Sequence, residues 1–284
     1  MSIRRPALAI LAAAALALPA TAQRTPTVAM VTDLAGGVKF VGDRGELPSG
    51  IATELSAGTK IEVAAGGKVV VLVLATGDEY TLSGPISAQV RSDGLAGTPA
   101  ERLARRASAV GKVRLKGEGL AQAAVTLRSS KPPETLPLLN LSRTVSLETR
   151  PAFRWSPVDG AGPYRFELQD ANGGVLYEAR TEATELRLPD SIALVEAKSY
   201  TWEVSTRRAN GMRFANFGDF TVAPAALRAE ATKLKPGSGA SVSERVAYAT
   251  WLSAQELNDE ARAVWSQLAA ERPDNAQLKA LSKR

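Results

Sequence analysis

Short β-branched runs separated by glycine-containing turns dominate residues 27–90, and this pattern constrains the fold more than any other feature of the chain. The runs lie at residues 28–31, 37–41, 60–63, 68–74 and 79–82. Turns such as Gly66-Gly67 suit tight hairpins, because glycine tolerates a positive φ. Residues 69–74 are continuously apolar, which predicts a central strand covered on both faces. We therefore expect an all-β module over residues 23–97.

Four stretches of this module follow one another in a recognisable order: Gly37-Val38, residues 55–61, residues 75–78 and Leu82-Ser-Gly-Pro85. In this order they resemble the FecR-like periplasmic domain, in which a Gly-x-Val strand precedes a Leu-x-x-Gly element, a hairpin and a Leu-Gly-Pro close. The resemblance implies a β-module that works in the periplasm. The cytoplasmic segment and membrane span of full-length members are not evident in this sequence, so only the β-module is implied.

The N-terminus has the pattern of an export signal. Arg4 and Arg5 precede an apolar stretch over residues 7–18, and Ala20-Thr21-Ala22 forms a small-x-small cleavage site before Gln23. A membrane anchor needs about 20 apolar residues, which is longer than this stretch. We expect residues 1–22 to be a cleaved signal peptide and the mature protein to be periplasmic, without a transmembrane anchor.

Residues 98–134 carry the strongest charge bias of the chain and are predicted to form a basic linker of helix and strand. Thr98, Pro99 and Glu101 match a capping box, which predicts a short helix to about Ala109. Two interpretations of the basic side chains stay open, a binding patch for an anionic partner or a solvated face of the linker. These side chains are Arg102, Arg105, Arg106, Lys112, Arg114 and Lys116.

Residues 135–223 repeat strand patterns at the spacing of a β-sandwich. The expected strands lie at 138–147, 152–155, 164–169, 175–179, 185–188, 199–205 and 212–222. Trp155 follows an early apolar strand, and Leu194 precedes Tyr200 by six residues. These positions resemble a fibronectin type III domain with its tyrosine corner, in which the phenol hydroxyl ties a loop to the sandwich. The resemblance implies a fold and leaves the function open.

From residue 224 to residue 284 the pattern becomes helical, with helices expected at 225–234, 243–256 and 259–272. The last two resemble a single tetratricopeptide repeat, and four of their apolar side chains are predicted to form one seam: Tyr248, Leu252, Trp265 and Leu268. One hairpin is too small to bury such a seam alone. The seam therefore either docks on the rest of the chain or is left for a protein partner.

The sequence as a whole predicts a mainly β protein with two β-modules and a small C-terminal helical hairpin. The 284 residues include no His and no Cys, which excludes imidazole and thiolate metal sites, Cys nucleophiles, Ser-His-Asp triads and disulfides. We accordingly expect no enzymatic activity and no cofactor, and the export signal and the lack of aromatics among the basic residues argue against a nucleic acid partner. The first hypothesis is a periplasmic adaptor that binds an envelope protein. The alternative is a binder of anionic cell-wall polymers or lipid headgroups through residues 102–116.

Overall fold

A computed structural model describes residues 26–98, 103–107 and 134–283. It confirms the predicted fold class, because several antiparallel sheets make up most of the regular structure and the helices are confined to the C-terminal part. The signal-peptide prediction for residues 1–22 lies outside the described residues. No helix within the described ranges is long and apolar enough to span a membrane.

The first part of the chain, here called the N-terminal β-module, consists of two five-stranded antiparallel sheets. One sheet has the order β10-β7-β6-β1-β4 and the other the order β3-β2-β5-β8-β9. The strand bounds are β1 Thr27–Ala35, β2 Val38–Gly42, β3 Gly45–Leu47, β4 Glu54–Ser56, β5 Lys60–Val63, β6 Lys68–Val73, β7 Asp78–Ser83, β8 Ile86–Arg91, β9 Gly94–Thr98 and β10 Leu103–Ala107. The turn glycines Gly66 and Gly77 have φ values of 75° and 74°, as their predicted hairpins require.

The central strand β6 is buried on both faces, as its apolar run predicts. Val69, Val71 and Val73 face the core between the two sheets. Leu72 and Leu74 point the other way and pack against Ala247, which belongs to the C-terminal helices. The face of β6 that points away from the core between the sheets is therefore covered by the helix over Val242–Ala254, from a distant part of the chain.

The prediction of a helix from Thr98 to about Ala109 is wrong for the residues of this segment that the structure describes, residue 98 and residues 103–107. Residue 98 ends strand β9, and β10 pairs antiparallel with β7, with Leu103 opposite Leu82 and Ala107 opposite Asp78. Local capping signals are a weak preference that tertiary pairing overrides, and here β10 supplies the backbone partners of the outer side of β7. The predicted linker thus contributes a strand to the N-terminal β-module.

Residues 134–223 form a β-sandwich. One sheet has the order β11-β18-β17-β14-β15, with β12 also paired to β18, and β13 pairs with β16 in a second sheet. The strands are β11 Glu134–Thr135, β12 Thr144–Ser146, β13 Ala152–Arg154, β14 Tyr164–Asp170, β15 Val175–Thr181, β16 Glu185–Arg187, β17 Ser199–Arg207 and β18 Arg213–Val222. The single strand predicted over residues 138–147 is shortened to β12, because Leu141 and Arg143 both adopt φ values of 53° and break the extended backbone.

Aromatic side chains fill the interior of the sandwich. Phe153, Trp155, Phe166 and Trp202 are fully buried and contact one another, with ring centroids 4.9 to 6.3 Å apart. Tyr200 is also buried, and its hydroxyl oxygen accepts a hydrogen bond of 2.8 Å from the backbone N–H of Val195. The loop after Leu194 is therefore tied to β17 by the contact that the sequence predicts.

Residues 224–283, here called the helical segment, contain helices α1 Ala225–Leu234, α2 Val242–Ala254, α3 Asn258–Glu271 and α4 Ala276–Leu281. Helix α2 begins with a capping box, in which Ser241 accepts from the backbone of Glu244 and the Glu244 carboxylate accepts from the backbone of Ser241. The sequence predicts the first three helices to within a few residues. The sequence pattern does not predict helix α4.

Candidate functional site

The predicted apolar seam of the helical segment is buried. Tyr248 is 9% exposed, Trp265 is 3% exposed, and Leu252 and Leu268 are 0% exposed. They belong to one hydrophobic core that also contains Met30 and Ile51 of the N-terminal β-module and Val145 and Ala223 at the edge of the sandwich. The docked alternative is therefore the one present in this structure. A partner could reach these four side chains only if the helices moved away.

Polar contacts fasten the helical segment to the N-terminal β-module. The hydroxyl groups of Thr32 on β1 and Ser243 on α2 lie 2.8 Å apart and are buried. Arg272 forms an ion pair of 2.8 Å with Asp33. The backbone N–H of Ile51 donates to the Gln277 side chain at 2.9 Å. These contacts join β1, the loop before β4 and three parts of the helical segment.

A second set of contacts fastens the helical segment to the sandwich. The backbone N–H of Leu141 donates to the Asp259 carboxylate at 2.7 Å. The Asn258 side chain donates to the carbonyl of Arg143 at 2.7 Å, and the N–H of Val145 donates to the carbonyl of Glu256 at 2.8 Å. The unusual backbone of Leu141 and Arg143 presents these groups to the start of α3. We refer to the shared core and both sets of contacts as the junction.

A partly buried carboxyl group, that of Glu260, lies beside the junction. Oxygen Oε2 of Glu260 is buried, and no hydrogen-bond partner for it exists among the described residues. Burial raises the pKa of Glu260, and the nearby carboxylates of Asp259 and Glu148 raise it further. Burial also raises the pKa of Tyr248, and the nearby carboxylate of Glu260 raises it further. The environment of Glu260 therefore disfavours its charged form.

A cavity of about 330 Å³ opens beside the junction. Its polar lining is already engaged: the hydroxyls of Thr250 and Ser253 donate to carbonyls of their own helix at 2.9 and 3.0 Å, and Arg262 forms an ion pair of 2.7 Å with Asp259. The remaining lining residues are Ala52, Asn258, Ala261, Trp265 and Leu281. The hydroxyls of Thr250 and Ser253 and the guanidinium of Arg262 are thus held by contacts within the helical segment.

Arg105 is the only member of the predicted basic patch whose side chain the structure describes. It lies on β10 with 62% of its side chain exposed and forms an ion pair of 2.6 Å with Asp78, whose side chain is 7% exposed. The hydrogen bond from Arg105 lowers the pKa of Asp78, and the same bond raises the pKa of Arg105. Arg106 follows on the same strand, and its side chain is outside the described residues, as are Arg102, Lys112, Arg114 and Lys116.

Sequence reasoning missed the residues that make the junction. Thr32, Asp33 and Ser243 are ordinary polar residues of a strand and a helix, and no motif or periodicity connects positions more than 200 residues apart. Among the described residues, no group of three or more carboxylates could hold a metal ion.

Comparison with known proteins leaves the family open. No family model matches the chain, and no curated protein matches it. The crystal structure of CopC from Methylosinus trichosporium OB3b is 18% identical, with a TM-score of 0.26, and the match covers 32% of this chain and 95% of that chain.

Two further solved structures match a larger share of the chain. A tetra-tandem repeat in the extending region of a large adhesion protein is 14% identical with a TM-score of 0.21, covering 70% of this chain and 42% of that chain. A β-1,2-glucanase from Parabacteroides distasonis is 10% identical with a TM-score of 0.22, covering 74% of this chain and 39% of that chain. This chain spans less than half the length of either, and likeness of this size assigns no function.

Proposed function

We propose that this chain is a non-enzymatic scaffold of the bacterial periplasm that binds an envelope protein. One observation carries the proposal: Met30 and Ile51 of the N-terminal β-module share a hydrophobic core with Val145 and Ala223 of the sandwich, through the helical segment. A chain that only linked two independent modules would not need such a core. A fixed arrangement of two β-modules is suited to presenting both to one partner.

The proposed identities of the modules follow from local features. The tyrosine-corner contact between Tyr200 and Val195 supports a fibronectin type III-like sandwich. The order of strands and turns over residues 37–85 supports a FecR-like N-terminal β-module, and the α2–α3 hairpin supports a likeness to one tetratricopeptide repeat. In this proposal the hairpin holds the two modules together, and the outer faces of the modules bind the partner.

The surface of the sandwich supports a role in protein recognition. Its larger sheet presents alternating charges to solvent, with ion pairs between Arg165 and Glu178 and between Arg213 and Glu203. Phe217 projects from β18 on this face with 52% of its surface exposed. An aromatic side chain among charged neighbours is a common composition of protein-binding surfaces.

A capture experiment tests the proposal. The mature chain is immobilised and exposed to envelope extract at low and raised salt, beside the Phe217→Ser variant and the Lys60→Glu variant as a control on the N-terminal β-module. We expect one envelope protein to remain bound at raised salt and to be lost with Phe217→Ser alone. Capture that disappears at raised salt contradicts the proposal.

Intact-mass analysis tests the proposed localisation. Periplasmic material should show a chain that begins at Gln23. A chain retained in the cytoplasm with Met1 contradicts this part of the proposal.

The alternative function, binding of anionic polymers or headgroups through residues 102–116, is supported by the exposure of Arg105 at the edge of a sheet. Asp78 offsets part of the charge of Arg105, so Asp78→Asn should strengthen binding to anionic liposomes, and Arg105→Ala should weaken it. Sedimentation with liposomes of anionic and of neutral lipid measures both. Equal sedimentation of all three proteins contradicts this alternative.

A further inference from the structure

Strand β15 is an edge strand of the sandwich, and one of its two sides has no neighbouring strand among the described residues. It is the last strand in the order of its sheet and pairs with β14 alone among the described residues. Its seven residues, Val-Leu-Tyr-Glu-Ala-Arg-Thr, include no Lys, Pro or Gly, and its first two side chains are 51% and 42% exposed. Edge strands commonly avoid pairing with another chain through lysines, prolines or β-bulges. β15 has no lysine or proline, and its register shift with β14 lies at its first residues, Val175 to Tyr177, before Ala179.

The charges of β15 are poorly matched within the chain. The register with β14 places Arg180 directly opposite Arg165 and Glu178 directly opposite Glu167. Like charges directly opposite each other on one face of a sheet are destabilising. Arg165 relieves the acidic pair through a diagonal ion pair of 3.3 Å with Glu178. Arg180 forms no ion pair with any residue that the structure describes.

A second β15 would match these charges. Residues that lie opposite each other in antiparallel strands have their side chains on the same face of the sheet. A two-fold axis that relates two identical strands must therefore lie midway between the two copies of one residue, which face each other across it. With Ala179 on the axis, Glu178 of each copy lies opposite Arg180 of the other, and Tyr177 lies opposite Thr181. An axis through Glu178 or through Arg180 would instead set like charges against each other. Ala179 is therefore the centre that makes the strand complementary to itself.

We propose that two copies of this chain associate through antiparallel pairing of their β15 strands about Ala179. The pairing joins the two larger sandwich sheets into one continuous sheet, and the exposed Val175 and Leu176 lie at its margins. A seven-residue edge buries a small area, and interfaces of that size belong to weak and transient complexes. The dimer is therefore expected to form in a concentration-dependent way. This inference does not depend on the identity of the envelope partner.

Charge exchange across the axis tests the proposal with the full mature chain. In Glu178→Arg both charged positions are basic, and in Arg180→Glu both are acidic, so each variant opposes like charges in its own dimer. We expect each variant alone to dimerise about tenfold more weakly than the unchanged chain. An equal mixture of the two variants restores opposite charges at both positions and should form a heterodimer. Sedimentation velocity up to about 1 mM protein measures all three samples.

Two controls separate this mechanism from general effects of charge or folding. Lys60→Glu makes the same change in net charge as Arg180→Glu but lies on β5 of the N-terminal β-module, and it should leave association unchanged. Circular dichroism melting should show that both β15 variants keep the unfolding midpoint. An unchanged chain that stays monomeric throughout, single variants that associate normally, or a mixture that fails to recover association would each overturn the proposal.

Discussion

The side-chain oxygens of Thr32 on β1 and Ser243 on α2 lie 2.8 Å apart in a hydrogen bond that is shielded from solvent. Thr32 also approaches the carbonyl of Val70 on the neighbouring strand, at 3.4 Å. A sheet of the N-terminal β-module and a helix near the end of the chain are thus joined through two small hydroxyl groups. Removing the Thr32 hydroxyl leaves the buried Ser243 hydroxyl without this partner, and removing the Ser243 hydroxyl leaves Thr32 with only the longer contact to Val70; removing both avoids these costs.

This relationship predicts a non-additive pair of substitutions. Ser243→Ala alone should lower the free energy of unfolding by about 1 to 3 kcal/mol, and Thr32→Val alone by a similar amount. The double variant should lose less than the sum of the two, since the hydrogen bond between the two hydroxyls is lost only once and neither hydroxyl remains. Urea denaturation of the four proteins measures the coupling. Simple additivity would show that the two side chains do not interact.

Removal of the hairpin should destabilise the β-modules. Deleting residues 241–284 exposes Met30, Ile51 and Val145, which the structure buries against α2 and α3. It also removes Trp251 and Trp265, and burial of one such large apolar side chain stabilises by about 1.5 to 3 kcal/mol. We expect calorimetry to show a clear fall in the unfolding midpoint of the remaining chain. An unchanged midpoint would mean that the hairpin contributes nothing to the core.

Glu260 should make stability depend on pH. Burial holds its pKa above the ordinary value of 4.5 in the folded protein, so the folded state binds more protons than the unfolded state between the two pKa values. The free energy of unfolding attributable to Glu260 therefore falls as the pH rises through this window.

Substitution of this carboxyl group tests the expected sign. Glu260→Gln removes the charge and should raise stability at pH 7 while flattening the decline with pH above about 4.5. Chemical denaturation at a series of pH values measures both changes. The account of Glu260 fails if the variant is less stable at neutral pH and keeps the slope of the unchanged chain.

The tyrosine hydroxyl of β17 should contribute measurably to the sandwich. Tyr200→Phe removes the partly buried hydrogen bond to the backbone N–H of Val195 and should cost about 0.5 to 1.5 kcal/mol. Tyr177→Phe is the matched control, because no hydrogen bond joins the Tyr177 hydroxyl to any described residue. Thermal melts should therefore separate the two variants. Equal midpoints would remove the Tyr200 hydroxyl from the list of stabilising contacts.

The sequence predicts what depends on local pattern and misses what depends on distant contact. The apolar run of β6 and the spacing of Leu194 and Tyr200 are local signals, and the structure agrees with both. The capping box at Thr98 is also local, but pairing with β7 overrides it. The junction could not be predicted, since Thr32 and Ser243 are 211 positions apart and meet only in the tertiary structure.

A distance between the two β-modules tests the central claim most directly, namely that the junction holds them in one arrangement. The chain has no native Cys, so spin labels can be attached at Lys60→Cys on β5 and Lys198→Cys beside β17 without further changes. Pulsed electron paramagnetic resonance should give a single narrow distance distribution, which broadens in a Trp265→Ala variant that loosens the shared core. A broad distribution in the otherwise unchanged chain would contradict the claim.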